Sequence, residues 1–193
     1  MSRPCISSTL DAPINSGCIN QVVGIEADAI IISRKLLNKL TLAFDADSVV
    51  CNTLALTSGH GQKVTVSGDM PYKDTKVDGK MGTYIQLFDS SFGFPILENS
   101  PASARQILQL GQDKYLAVVQ FKGYDPAKKN KYGIIGLNRG LQFETANLAF
   151  DTQENFGYKV TLKETEGLVP LFFYWPTANT EAAADAWFAS LLV

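Results

Sequence analysis

The sequence predicts a mainly β domain with antiparallel strands, one helix near the middle, a long inter-strand loop and a C-terminal helix. Several short runs alternate strictly between apolar and polar residues, whereas only two segments combine helical spacing with capping residues. The chain has 193 residues, 46% of them hydrophobic, so one domain with a real core fits its size. We therefore expect one β domain over residues 1–176, with a helix at 100–111, and a helical tail over residues 177–193.

Alternating runs predict strands that have one apolar and one polar face. Tyr158, Val160 and Leu162, for example, alternate with polar residues and would point the same way. The runs of this kind are residues 62–67, 141–144 and 157–163, and residues 40–44 are a fourth strand candidate that is more apolar on both sides. Such alternation is typical of antiparallel sheets, in which one face packs on a core and the other meets water.

Three other runs are apolar on both faces, namely residues 28–33, 49–56 and 115–121. A strand of this type has to be covered on both sides. The cover is either a helix of the same chain or another subunit, and the residues alone leave these two alternatives open.

Two segments predict helices. Ser100 suits an N-cap, Pro101 suits the first helical position, and Gly111 suits a left-handed residue after the last turn. The expected apolar stripe of this helix consists of Ala104, Ile107, Leu108 and Gly111. The second helix spans residues 181–192, with Asn179 or Thr180 as its cap and a broad apolar face formed by Ala184, Trp187, Phe188, Leu191 and Leu192.

Two segments stand outside this pattern. Residues 68–82 carry three glycines, one proline and many charges, which predicts a long polar loop of the kind that is usually functional or disordered. Residues 169–176 place bulky apolar side chains between two prolines, which disfavours a central strand. The bulky segment either caps the core or anchors a neighbouring subunit, and both interpretations stay open.

Residues that could carry catalysis or bind a cofactor are scarce. His60, the single histidine, lies in a turn-like Ser58-Gly59-His60-Gly61 context without a nucleophile elbow, and no phosphate-binding loop occurs. Cys5, Cys18 and Cys51 form no metal-binding pair, so we expect free thiols, with a bridge between the first two left open. Glu164 and Glu166 follow a strand and are expected to be solvated. We therefore predict no enzyme activity, no cofactor and no metal site.

Charge and hydropathy exclude further classes. The 17 basic and 19 acidic residues include no dense basic run, which argues against a dedicated nucleic-acid binder. The N-terminus lacks the apolar stretch of a secretory signal, and the longest apolar runs are too short to cross a bilayer. We expect a chain that folds in a cytoplasm and has no membrane partner.

The order of segments after the first helix is distinctive. The strand at 115–122, a charged hairpin and Tyr132-Gly133-Ile134-Ile135-Gly136-Leu137 are followed by Arg139-Gly140-Leu141-Gln142-Phe143-Glu144. Residues 151–167 then read DTQENFGYKVTLKETEG. This series, over roughly residues 15–175, resembles the major tail tube proteins of long-tailed bacteriophages. The alanine-rich segment from Thr177 onward departs from the family pattern.

The resemblance implies an antiparallel β-barrel or sandwich flanked by a helix, assembled as stacked hexameric rings around a lumen. The chain would then be a virion protein of the tail, assembled in the host bacterial cytoplasm, with the tape-measure protein and a sheath or terminator protein as further partners. DNA would pass through the lumen without specific binding. Alternatives are another virion component, such as a head decoration, connector or terminator, and a small ligand-binding β-sandwich or hydrolase.

In the tail tube interpretation, the long loop and the bulky segment contact neighbouring subunits. The residues predicted to form these inter-subunit contacts are Asp69, Met70, Pro71, Tyr72, Lys73, Lys76, Lys80, Phe172, Phe173, Tyr174 and Trp175.

Overall fold

The computed structural model describes residues 24–46, 49–66, 72, 74–83, 85–96, 100–149 and 157–192. This part of the chain is mainly β and forms two sheets that pack as a sandwich, which confirms the predicted fold class, and the described strands do not close into a barrel. Within it, no helix combines the length and the apolar character that a bilayer crossing requires.

The strands are β1 (Ile25–Ser33), β2 (Ala43–Phe44), β3 (Val50–Thr53), β4 (Gln62–Thr65), β5 (Lys76–Met81), β6 (Gln86–Ile96), β7 (Tyr115–Phe121), β8 (Tyr132–Ile135), β9 (Gln142–Ala149), β10 (Gly157–Gly167) and β11 (Phe172–Tyr174). The α-helices are α1 (Pro101–Leu110) and α2 (Glu181–Ser190). One sheet has the order β2-β3-β11-β8-β7-β1-β4, and the other has the order β5-β6-β10-β9. All pairs are antiparallel except β3 with β11.

The central strands of the seven-stranded sheet are buried on both faces by the chain itself. One face, which includes Ile30, Leu116 and Ile134, packs under α2, and the opposite face, which includes Ile31 and Val119, packs on the four-stranded sheet. Of the two covers that the sequence left open, the structure therefore shows a helix on one side, and the second sheet covers the other. No second subunit is needed to bury these strands.

Helix α1 confirms the predicted position and cap but not the predicted stripe. Ser100 and Ser103 exchange side-chain-to-backbone hydrogen bonds of 2.9 and 3.2 Å, which form a capping box. Ile107 and Leu110 pack on the core between the sheets, whereas Leu108 is 70% exposed. The predicted stripe was wrong at Leu108. The face of α1 that packs on the core is the one that carries the buried Ser103, and Leu108 lies outside that face. Gly111 is also right-handed, with φ of −73°, rather than left-handed.

The region predicted as a long loop contains a strand. Residues 76–81 form β5, which pairs with β6 in a continuous register from Lys76 opposite Ser91 to Met81 opposite Gln86. Charged residues alternate along β5 and nearly all of it is exposed, so the segment has the polarity of a loop and the hydrogen bonding of an edge strand.

The segment with two prolines also differs from the prediction. Pro170 and Pro176 lie outside β11, which spans only Phe172–Tyr174 and sits between β3 and β8. The argument from proline against a central strand was therefore wrong, because a three-residue strand fits between the prolines and keeps all its N–H groups.

Candidate assembly surface

The outer face of the four-stranded sheet, which points away from the seven-stranded sheet, carries eight charged side chains. Along β6 and β10, alternate residues point outward, since Phe92, Val160 and Leu162 point into the core. Strand β5 follows β6, because Asp78 lies opposite Asp89 in the register. The charged residues of this outer face are Asp74, Lys76, Asp78, Lys80, Asp89, Glu144, Lys159 and Lys163. Four are acidic and four are basic, so the outer face has no net charge.

Each of these charges has an opposite partner. The Nζ atoms of Lys76, Lys80, Lys159 and Lys163 lie 2.7, 3.0, 2.7 and 3.1 Å from carboxylate oxygens of Asp78, Asp89, Asp74 and Glu144 respectively. Two of the pairs link neighbouring strands, β5 with β6 and β10 with β9. A β-bulge places Glu144 within reach of Lys163, since Thr161 opposes Thr145 while Leu162 opposes Phe143.

Hydrogen bonds favour the charged form of Asp89 and of Lys76. The backbone N–H of Glu166 donates to Asp89 at 2.9 Å, and this bond, together with the bond from Lys80, lowers the pKa of Asp89. The hydrogen bond to Asp78 raises the pKa of Lys76. The outer face therefore presents alternating charges, each of which lies at contact distance from an opposite charge.

Both edges of the four-stranded sheet lack a partner strand in the described part of the chain. Strand β5 pairs with β6 alone and β9 pairs with β10 alone. An edge strand presents a row of unpaired N–H and C=O groups that can template another strand. Met81, at the end of β5, is 83% exposed.

The predicted contact residues of the 68–82 segment fall into three groups. Lys76 and Lys80 lie on β5, at the open edge. Tyr72 is 5% exposed and stacks on Phe92, with its hydroxyl 2.8 Å from the carbonyl oxygens of both Ala27 and Val64. Burial raises the pKa of Tyr72. It therefore faces its own core. Asp69, Met70, Pro71 and Lys73 lie outside the described residues.

The predicted contact residues of the bulky segment lie mostly in the core under α2. Phe172, Tyr174 and Trp175 are 3%, 5% and 3% exposed, and Phe173 is partly exposed. Of the two interpretations left open, the core one describes these three buried side chains. Phe173 is the predicted contact residue of this segment that keeps exposed surface for a neighbour. Its ring centroid lies 6.1 Å from that of Phe121.

Glu164 is the buried acid that sequence reasoning missed. It is 2% exposed and accepts hydrogen bonds from the backbone N–H groups of Arg139 and Gly140, in the turn between β8 and β9. The expectation that Glu164 is solvated was wrong because β10 continues to Gly167, so Glu164 keeps the inward parity of Val160 and Leu162. Glu166, by contrast, is exposed and pairs with Arg139 at 3.3 Å.

The remaining candidates for chemistry are isolated. His60 is exposed on the rim of a groove between α1 and β4, with an apolar floor that includes Ile31, Val64 and Phe94. Cys51 is a free, buried thiol, while Cys5 and Cys18 lie outside the described residues. Among the residues that the structure describes, no group of three or more His, Cys, Asp or Glu side chains could hold a metal ion.

Comparison of the chain with protein-family models, with curated proteins and with solved structures finds no match.

Proposed function

We propose that this chain is the tail tube subunit of a long-tailed bacteriophage, which forms hexameric rings that stack around a lumen for genome delivery. The observation that carries the proposal is the pair of open edges, β5 and β9, on opposite sides of one four-stranded sheet. A contact between two different edges of identical copies is head-to-tail, and such contacts generate a ring when the rotation closes.

The two edges are similar in length, and their charged side chains are already paired within the subunit. Strand β5 has six residues and β9 has eight, so a neighbour could extend the sheet over most of either strand. Lys76 and Lys80 lie along β5, and Glu144 lies on β9. Edge lysines often prevent strand pairing, but here Asp78 and Asp89 neutralise both of them.

The outer face suits a surface past which DNA slides. Binding to DNA draws much of its strength from unpaired lysines and arginines that displace counterions from phosphates. Each lysine of the outer face is already paired with a carboxylate, so it offers little gain to a phosphate. We expect that six copies joined edge to edge would present this face to the lumen.

Cross-linking between the two edges tests the proposal. In a Cys5→Ser, Cys18→Ser background, Met81→Cys and Thr145→Cys would place one thiol on each edge, both on exposed positions, and would leave the ion pairs of β5 intact. A short bismaleimide should give the double variant a ladder of covalent species that ends at six subunits on a denaturing gel. Electron microscopy of the unmodified protein at high concentration should show rings or tubes.

Control variants show whether the cross-links depend on contact between the two edges. Each single cysteine variant should give no ladder, and neither should Met81→Cys combined with Thr161→Cys, because Thr161 lies on the interior strand β10. A double variant that stays monomeric under conditions where the wild type also forms no rings would contradict the tail tube function.

The groove between α1 and β4 favours one alternative, a small ligand-binding β-sandwich. Its apolar floor and its polar rim, which includes His60, Gln106 and Gln109, have the character of a binding cleft. A thermal-shift screen with small apolar acids and amides tests it. A saturable rise in Tm that Val64→Lys abolishes, in a chain that does not assemble, would favour this function over the tail tube.

A further inference from the structure

A buried cation joins α2 to the hairpin between β7 and β8. The Lys131 side chain is 6% exposed, and its Nζ lies 2.7 Å from Glu181 and 2.6 Å from Asp185. The rings of Tyr124 and Tyr132 lie 4.7 and 5.7 Å from the same nitrogen. We call these five residues the latch cluster.

The tyrosines complete the hydrogen bonding of the two carboxylates. Tyr132 donates its hydroxyl hydrogen to Asp185 at 2.7 Å, and Tyr124 donates to Glu181. Both carboxylates belong to α2, one turn apart, whereas the cation and both phenols belong to the sheet and its hairpin. All the charge attraction in the latch cluster therefore acts between α2 and the body of the protein.

The carboxylates of the latch cluster are accessible to solvent, whereas its cation is buried. The Glu181 and Asp185 side chains are 38% and 47% exposed, so they can take up protons from water while α2 stays docked. Lys131 cannot be hydrated in place. Neutral carboxylates would leave a buried charge without a counter-ion, which is a costly arrangement.

The other contacts of α2 are uncharged, and they include the packing of its apolar face on the core. Trp187 stacks on Tyr174 and donates its indole N–H to the Leu54 carbonyl oxygen at 2.8 Å. At the end of the helix, the Gly61 N–H donates to the Leu191 carbonyl oxygen at 2.7 Å. A segment of six residues without regular structure, 175–180, connects β11 to α2. The helix can therefore leave without breaking a strand pair.

We propose that the latch cluster is an acid-sensitive device that releases α2 from the seven-stranded sheet while the two sheets stay folded. Release hydrates Lys131 and uncovers the apolar face that contains Tyr174 and Cys51. The charged and titratable groups that face each other here are Lys131, Tyr124 and Tyr132 on the body and Glu181 and Asp185 on α2.

The direction of the pH dependence follows from the pKa shifts. The hydrogen bond from Lys131 lowers the pKa of Glu181, and for Asp185 the bonds from Lys131 and Tyr132 outweigh burial and also lower the pKa. A lowered pKa means that the stabilisation is present above the unfolded value, roughly pH 4, and is lost as pH falls through the folded value. The pKa of Lys131 is raised, because its bonds to both acids outweigh burial, so it stays charged throughout.

Cys51 reports the release. In the Cys5→Ser, Cys18→Ser background it is the single thiol, and it is fully buried with α2 in place. We would measure its reaction with 4,4′-dithiodipyridine, which works in acid, relative to the same protein in denaturant at each pH, and follow the sheets by far-ultraviolet circular dichroism. Protection of Cys51 should fall about a hundredfold between pH 7 and pH 3 while the β signal is retained.

Three variants separate the latch from a general loss of stability. Lys131→Met removes the buried cation and should keep Cys51 protected at pH 3. Glu181→Gln with Asp185→Asn should lower protection already at pH 7 and remove the dependence on pH. Lys128→Met, on the same hairpin but 55% exposed, should respond to acid as the parent does. Loss of protection that always coincides with loss of the β signal, or an unchanged acid response in Lys131→Met, would overturn the proposal.

Discussion

The indole of Trp187 on α2 stacks on the phenol of Tyr174 on β11, with ring centroids 3.4 Å apart and planes 11° from parallel. Tyr132, which stacks on Phe188 at 4.8 Å, extends the aromatic contact onto β8. The C-terminal helix is therefore seated on the middle of the seven-stranded sheet by rings that bury large areas in fixed geometry.

Removing the Trp187 ring should destabilise the protein. Trp187→Ala would empty the space over Tyr174 and leave the Leu54 carbonyl oxygen without its donor, at a cost of about 3 kcal/mol in the free energy of unfolding. Urea denaturation measures it. Leu108→Ala is the control, because Leu108 is exposed on α1 and should change stability by less than about 0.5 kcal/mol. Equal effects of the two substitutions would show that α2 does not depend on this stack.

The buried carboxylate of Glu164 should contribute as much to the free energy of unfolding as an apolar core residue does. Glu164→Ala leaves the N–H groups of Arg139 and Gly140 without an acceptor, which should cost about 2 kcal/mol. Glu164→Gln keeps one acceptor oxygen and should cost less. Glu166→Ala, two residues away at an exposed position, is the matched control and should be nearly neutral. The same urea experiment measures all three, and a neutral Glu164→Ala would contradict the assigned role.

Much of the sandwich could be predicted because alternation and capping are local signals. The whole of β7 and the helix after Ser100 match the expected bounds, since each is defined by its own residues. Strand β5 could not be predicted in this way. Its charged, glycine-containing sequence has no apolar face, and it forms a strand only because β6 supplies the hydrogen bonds.

Among the candidate sites, too, features set by neighbouring residues could be predicted, and features set by residues far apart in the sequence could not. The exposure of His60 in a turn follows from its neighbours along the chain. The latch cluster does not, because residues fifty positions apart have to meet before Lys131 becomes a buried cation. The burial of Glu164 could not be predicted for a related reason. Its side chain points inward because β10 extends past it to Gly167, and its partners lie in the turn between β8 and β9, far away in the sequence.

Cys51 should resist thiol reagents at neutral and mildly alkaline pH. Burial raises the pKa of the Cys51 thiol to about 12, and the reactive thiolate is therefore scarce at pH 8 even where reagent could reach it. In the Cys5→Ser, Cys18→Ser background, Ellman's reagent should modify the native protein far more slowly than the urea-unfolded protein. Native and unfolded rates that agree would mean that the face under α2 is open to solvent at pH 8.

Gly93 should tolerate no side chain, because another part of the chain crosses directly over it. A Cβ at this position would lie 2.7 Å from the Cβ of Asp74, so the segment that leads into β5 would have to move away from the outer face. Gly93→Ala should cost about 2 kcal/mol, in the range for an overpacked site, and should loosen the Lys159 to Asp74 ion pair. Gly79→Ala on β5 is the matched control, since its nearest contact would be 3.4 Å from the Phe88 ring. Hydrogen exchange at residues 74–76 locates the change, and protection of those amides that is equal in both variants would show that Asp74 does not pack against Gly93.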